Sequence, residues 1–199
     1  MARHADRGDE VRVVVATRGI HEMFPPETVA RSRKELAAAH EALGVAGVRF
    51  LDFPAPKLDT VPICDLADAL REVIRSADAG TVYIPHGGDL HADHRAVYEA
   101  ALVAARPVNG SPVKRLLCYE TLSETEWARP GDAAFAPTVF ADITAYLDRK
   151  LDALSCLATE LREFPHPRSL GAVEALARFR GAISGVEAAE AFMLVREIG

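Results

Sequence analysis

At 199 residues, 49% of them hydrophobic and 26% charged, the chain is long enough to bury one sizeable core as a globular domain. Its net charge of −6, from 29 acidic against 23 basic residues with neither sign in long blocks, argues against a nucleic-acid partner, which needs a concentrated basic face. The three cysteines, Cys64, Cys118 and Cys156, form no C-x-x-C pair and suit a reducing cytoplasm; no apolar run nears the ~18 residues of a membrane span, and the opening MARHADRGDE lacks the apolar region of a secretory signal.

In chain order, ARHADRGDE reads as the tail of a helix with Gly8 as its cap. Val11 to Ala16 (VRVVVA) is a near-continuous β-branched run, the signature of a strand covered on both faces. TRGIHEMFPPE follows as a loop, and Glu27 to Leu43 as a helix closed by Gly44. VRFLDF, Val48 to Phe53, predicts a second strand, and Cys64 to Ser76 an amphipathic helix built on Leu66, Leu70, Val73 and Ile74. TVYIP is the next strand. His91 to Arg106 is alanine-rich and helical, stopped by Pro107; Val113 to Glu120 is a strand, and Ser123 to Thr138 is loop-like. A short strand, TVFADI, then precedes a helix over Tyr146 to Phe164, the loop PHPRS, and final helices over Ala172 to Arg180 and Val186 to Arg196.

Strands alternating with helices, with apolar runs of the parallel type, predict a single α/β domain over residues 1–199: a Rossmann-like, doubly wound, mostly parallel sheet. Ligands in such sheets bind beyond the carboxyl ends of the strands. The segment IPHGGDLHADHR, Ile84 to Arg95, lies at such an end and gathers His86, Asp89, His91, Asp93 and His94.

If a helix begins near Asp89 or His91, His91 and His94 share one face of its first turn, with Asp93 placed to hydrogen-bond a histidine and fix its tautomer. One histidine on a metal and a second beside the bound water would make a hydrolytic half-site. The competing reading is ordinary: histidines on loops are usually surface residues, and an aspartate at a helix start is usually a cap. Gly87 and Gly88 lack the spacing of a phosphate-binding loop, which disfavours a nucleotide-binding protein. His4 and Asp6 fall in a charged helix tail, His166 in a surface loop, and His21 and His40 take structural readings.

The run YIPHGGDLHADHRAVYEAALVAARP resembles the second signature of the LmbE/PIG-L family of zinc-dependent N-deacetylases. GDEVRVVVATRG, KELAAAHEALGV, FLDFPAPKLD and PHPRSLGAVEALARFRG extend the similarity over nearly the whole chain. The resemblance implies hydrolysis of the acetamide of an N-acetylglucosamine-type sugar conjugate. It assigns the zinc ligand of H-x-D-H to His94, oxyanion stabilisation and leaving-group protonation to His91, and orientation of His91 to Asp93. Asp89, Thr17 and Gly19 would line the substrate side, and Arg31 or Arg33 would meet the aglycone.

The family's first signature, A-H-P-D-D-E, supplies two further zinc ligands and the general base, and it is absent from this sequence. MARHADRGDEVRVVVATRG matches the part just after it, so the expectation is that the first strand, both ligands and the base lie upstream of residue 1. Zinc would then be held weakly or not at all by the chain as given, and an open sheet edge would invite pairing with a second copy as a homo-oligomer. The alternative function is a non-catalytic sugar-binding or assembly module that keeps the pocket without a complete metal site.

Overall fold

A computed structural model of the chain describes residues 1–19 and 23–199. The elements are α1 (Ala2–Asp6), β1 (Arg12–Gly19), α2 (Pro26–Leu43), β2 (Gly47–Ala55), α3 (Ile63–Ser76), β3 (Thr81–Pro85), α4 (Ala92–Ala104), β4 (Arg115–Tyr119), β5 (Val139–Asp142), α5 (Leu147–Ser155), α6 (Leu170–Ser184) and β6 (Ala189–Glu197). One sheet has the strand order β3–β4–β6–β5, and a second joins β1 to β2. This is the expected α/β fold, with β3 and β4 parallel and joined by the crossover helix α4. Among the described residues, no helix is long and apolar enough to cross a membrane.

The chain forms two compact units. One comprises Val14–Arg18, Phe50–Val139 and Ala191–Gly199. Its core is the face of α3 bearing Leu66, Leu70 and Ile74, packed with Leu58, Ile84, Leu116 and the alanines of α4. Ala96, Ala100, Ala101 and Ala104 repeat at helical spacing and are buried, so α3 and α4 meet across small side chains. Removing Leu66, Leu70 and Ile74 from water is worth about 1.5–3 kcal/mol each, which seats α4 and therefore the residues at its start.

The other unit comprises Met1–Val13, Gly19–Arg49 and Phe140–Glu190. Here α5 packs on both α2 and α6, over a small core of Ile143, Leu147, Ala177 and Ala188. Gly8, with φ +87°, follows α1 and donates its N–H to the Ala5 carbonyl, as expected of a helix-ending glycine.

Two expected helices are corrected. The segment after Gly185 is the strand β6, not a helix: its backbone pairs antiparallel with β4, Phe192 opposite Tyr119 and Met193 opposite Cys118. Alanine and glutamate give VEAAEAFMLVRE a helical look, but propensity is a weak prior against a full ladder of strand hydrogen bonds. The helix expected over Tyr146 to Phe164 ends at Ser155. Beyond it, the Glu35 carboxylate of α2 takes both the Thr159 N–H, at 2.9 Å, and the Thr159 hydroxyl, at 2.6 Å. That diverts a donor the helix would need, and the chain turns.

Candidate active site

β3 delivers Pro85 at its carboxyl end, and α4 starts at Ala92, so the six residues His86 to His91 make the whole turn between them. His86 is buried, and its Nε2 lies 2.8 Å from the Ala133 carbonyl, while its ring meets Phe135 edge-on at 5.4 Å. A Cβ on Gly88 would stand 2.2 Å from that same carbonyl and 2.6 Å from His86 Nε2. Glycine is required there because the loop holding Ala133 closes directly over the turn.

His91 is the N-cap of α4. Its Nδ1 accepts the Asp93 backbone N–H at 3.1 Å. His94, one turn on, stacks on it with ring centroids 5.0 Å apart and planes 19° from parallel. The expected shared face of H-x-D-H is therefore present. Asp89 is fully buried; its Oδ2 accepts from His94 Nδ1 at 2.8 Å and its Oδ1 from the Thr125 hydroxyl at 2.6 Å. Arg95 Nη1 grips the Asp89 carbonyl at 2.8 Å, which fixes the backbone that carries the carboxylate.

These partners set the tautomers. A backbone N–H only donates, so His91 uses Nδ1 as acceptor and, as a neutral ring, carries its proton on Nε2. A carboxylate only accepts, so His94 donates from Nδ1 and keeps a lone pair on Nε2. Two stacked imidazoles thus present one N–H donor and one lone pair.

The aspartates divide their work differently from the expectation. Asp93 was expected to orient His91 with its carboxylate, but its Oδ1 accepts the Leu58 N–H at 3.0 Å, and it reaches His91 through its own backbone. The carboxylate–imidazole pair belongs to Asp89 and His94. The charge of Asp89 is also felt at Cys118: burial first, and that negative charge second, push the thiol up to about 11.

Thr17 sits half-buried in β1, and Gly19 ends that strand. Arg31 is paired with Glu35 at 2.9 Å. His4 meets Asp9 at 2.6 Å and Asp6 meets Arg149 at 2.9 Å, in keeping with a charged structural tail. His166 accepts the Arg168 N–H within its turn, and His40 is buried in α2. His21 lies outside the described residues. Thr125 and Leu58, the partners of the two aspartates, were not foreseen: they lie 36 and 35 residues away along the chain.

Zinc was the expected cofactor. His94 has the arrangement of a metal-binding histidine, Nδ1 on a carboxylate and Nε2 left open. Yet a catalytic zinc takes three protein ligands, and among the described residues no three His, Cys, Asp or Glu side chains gather to hold a metal ion. The described donor set therefore does not make a zinc centre.

The chain is similar to several known proteins. The uncharacterized deacetylase YaiS of Escherichia coli (strain K12) is 29% identical over 160 residues, which cover 77% of this chain and 78% of that protein. The 1D-myo-inositol 2-acetamido-2-deoxy-alpha-D-glucopyranoside deacetylase of Kineococcus radiotolerans is 36% identical, over 52% of this chain and 39% of its own length. Among solved structures, the conserved protein TT1542 from Thermus thermophilus superposes with a TM-score of 0.76 at 28% identity, over all of this chain and 87% of its own. The profile described as PIG-L, GlcNAc-PI de-N-acetylase, matches residues 1–105, which contain the whole His86–His94 turn, and the chain belongs to that family.

Proposed function

We propose that this chain is an N-deacetylase that hydrolyses the acetamide of an N-acetylated amino sugar conjugate, releasing acetate and a free amine. The observation that carries this reading is the stacked His91–His94 pair, with a donor Nε2–H on one ring and a lone pair on the other. Family membership and the two deacetylases among its relatives support the same reaction.

Amide hydrolysis forms a bond from a water oxygen to the carbonyl carbon and breaks the C–N bond. It needs a donor for the oxyanion that develops and a proton for the departing nitrogen. His91 Nε2–H meets the first by donating to the oxyanion. The proton that the water gives up as it attacks is the one that the departing nitrogen takes, so none is gained or lost overall. His94 is held in register beside it by Asp89, and it is the residue that the family resemblance assigns to zinc. Asp93 fastens the start of α4 to Leu58 and so fixes where His91 points. Thr17 and Gly19, from β1, are the residues proposed for the substrate side.

The test is direct. The purified chain is incubated with 2-acetamido-2-deoxyglucosyl-inositol, with and without added zinc, and free amine and acetate are measured. Equal release of both products, abolished by His91→Ser, supports the proposal. No release under either condition, from protein shown to be folded, overturns it.

A further inference from the structure

Thr125 is placed where its hydroxyl can steer the Asp89–His94 pair. Its Oγ1 lies 2.7 Å from the Thr121 backbone nitrogen and 2.6 Å from Asp89 Oδ1. The direction of each bond follows from the chemistry of its ends. The Thr121 N–H can only donate, so the Thr125 oxygen accepts there. The Asp89 carboxylate can only accept, so the Thr125 O–H must point at Oδ1. With Oδ1 engaged, Oδ2 faces His94 Nδ1 at 2.8 Å and takes its proton. A single directed chain therefore runs from a backbone amide through one hydroxyl and one carboxylate to the imidazole, and it ends on the His94 Nε2 lone pair.

The loop that carries Thr125 is built to hold this geometry. Thr125 N–H returns to the Thr121 carbonyl at 2.8 Å, closing a reciprocal pair with the bond above. Ser123, at φ +75°, donates its N–H to Glu126 Oε1 at 2.6 Å. The Leu90 N–H bonds the Glu124 carbonyl at 3.1 Å, so the loop is tied to the histidine turn by backbone as well as by Thr125. All of these residues belong to one compact unit. A buried carboxylate must have its oxygens satisfied. Thr125 satisfies one and leaves the other for His94.

We infer that Thr125 is a positioning residue, whose hydroxyl orients the Asp89 carboxylate so that His94 is kept in the Nδ1–H tautomer with Nε2 available for chemistry. The inference rests on the reading of His94 as a working imidazole, and its test is chosen to stand apart from that reading. Three proteins are compared: wild type, Thr125→Val, which keeps the shape without the hydroxyl, and Thr125→Ser, which keeps the hydroxyl.

Two quantities are measured on each. The first is the nitrogen-15 spectrum of the His94 ring. Wild type and Thr125→Ser should show the pattern of a protonated Nδ1, and Thr125→Val a shift of population towards protonated Nε2. The second is deacetylation of 2-acetamido-2-deoxyglucosyl-inositol. Thr125→Val should lower kcat by about tenfold to hundredfold, the loss typical of removing an outer hydrogen-bond partner. KM should stay within about twofold, because the inferred role of Thr125 acts through Asp89 and His94 rather than on the substrate. Thr125→Ser should restore kcat.

A Thr125→Val protein with an unchanged ring spectrum overturns the inference, as does a stable Thr125→Ser protein that behaves like the valine variant. If the wild type releases no acetate, the proposed reaction fails, and the ring spectrum alone still decides the role of Thr125. Should Thr125→Val not fold, the comparison of serine with wild type decides it, an altered serine spectrum counting against the inference.

Discussion

Asp89 and His94 meet through a 2.8 Å hydrogen bond in which the carboxylate is fully buried and the imidazole keeps 28% of its side chain exposed. Burial of the carboxylate secures the orientation, and the exposed fraction of the imidazole leaves the ring accessible. Asp89→Asn keeps the shape and changes the donor pattern. With Thr125 still donating to the remaining oxygen, the amide NH2 faces His94 Nδ1 and forces the proton to Nε2. We expect acetate release to fall by about a hundredfold or more, as a wrong tautomer does in other Asp–His pairs. Activity within threefold of wild type would show that the tautomer is unimportant.

His91 has two jobs, and they can be separated. As N-cap of α4 it accepts the Asp93 N–H; as a ring it offers Nε2–H. Serine is a good N-cap without an imidazole, and alanine is neither. His91→Ser should therefore unfold within a few tenths of a kcal/mol of wild type, and His91→Ala about 1 kcal/mol earlier. Both should lose about a hundredfold or more in kcat. Urea melts read the first effect and initial rates the second; a serine variant with full turnover would refute the donor role.

How much of this was legible in the sequence depends on the reach of each interaction. The β-branched run of β1, the stripe on α3 and the position of H-x-D-H past a strand are local patterns, and each led to the right element. The shared face of His91 and His94 also followed, because spacing by three on a helix is a local matter, whereas the stacking of their rings is a finding of the structure. What spacing could not reveal is which aspartate serves which histidine. Asp93 looks the nearer partner of His91, but Leu58, 35 residues away, claims its carboxylate. β6 was misread because alanine and glutamate advertise a helix, whereas the deciding partner, β4, lies some seventy positions earlier in the register of the sheet.

Asp93 tests that division of labour. Asp93→Asn can still accept the Leu58 N–H through its amide oxygen, and Asp93 contributes only its backbone N–H to the cap bond with the His91 ring. We expect near-normal kcat and a small loss of stability. Asp93→Ala leaves the Leu58 amide buried without an acceptor, at a cost of about 1–3 kcal/mol. If instead Asp93→Asn lowers kcat by tenfold with its melting curve unchanged, the carboxylate itself tunes His91.

Gly88 sets the closeness of the overlying loop. A methyl group there meets the Ala133 carbonyl at 2.2 Å, and since that contact is backbone, neither side can yield by a rotamer change. Gly88→Ala should break the His86–Ala133 hydrogen bond and cost about 1–3 kcal/mol. Faster hydrogen exchange confined to residues near 130–135 would locate the damage. A melting curve superposable on wild type would mean that the loop sits further off.

Cys118 gives the fold a dependence on alkaline pH. Its thiol is held up at about 11 against an ordinary 9.0, by burial and then by the charge of Asp89. The sign follows from linkage: a folded state that holds a proton more tightly than the unfolded one is stabilised below the unfolded value and loses that advantage as pH rises. The contribution is therefore complete below pH 9, declines from there, and is gone above about 11. A two-unit shift corresponds to about 3 kcal/mol. Urea midpoints at pH 8, 9, 10 and 11 should fall more steeply for wild type than for Cys118→Ala, which lacks the group but shares every other charge. In the same range, a thiol reagent should label exposed Cys64 well before buried Cys118. Parallel midpoint curves for the two proteins would show that the thiol titrates alike in the folded and unfolded chains.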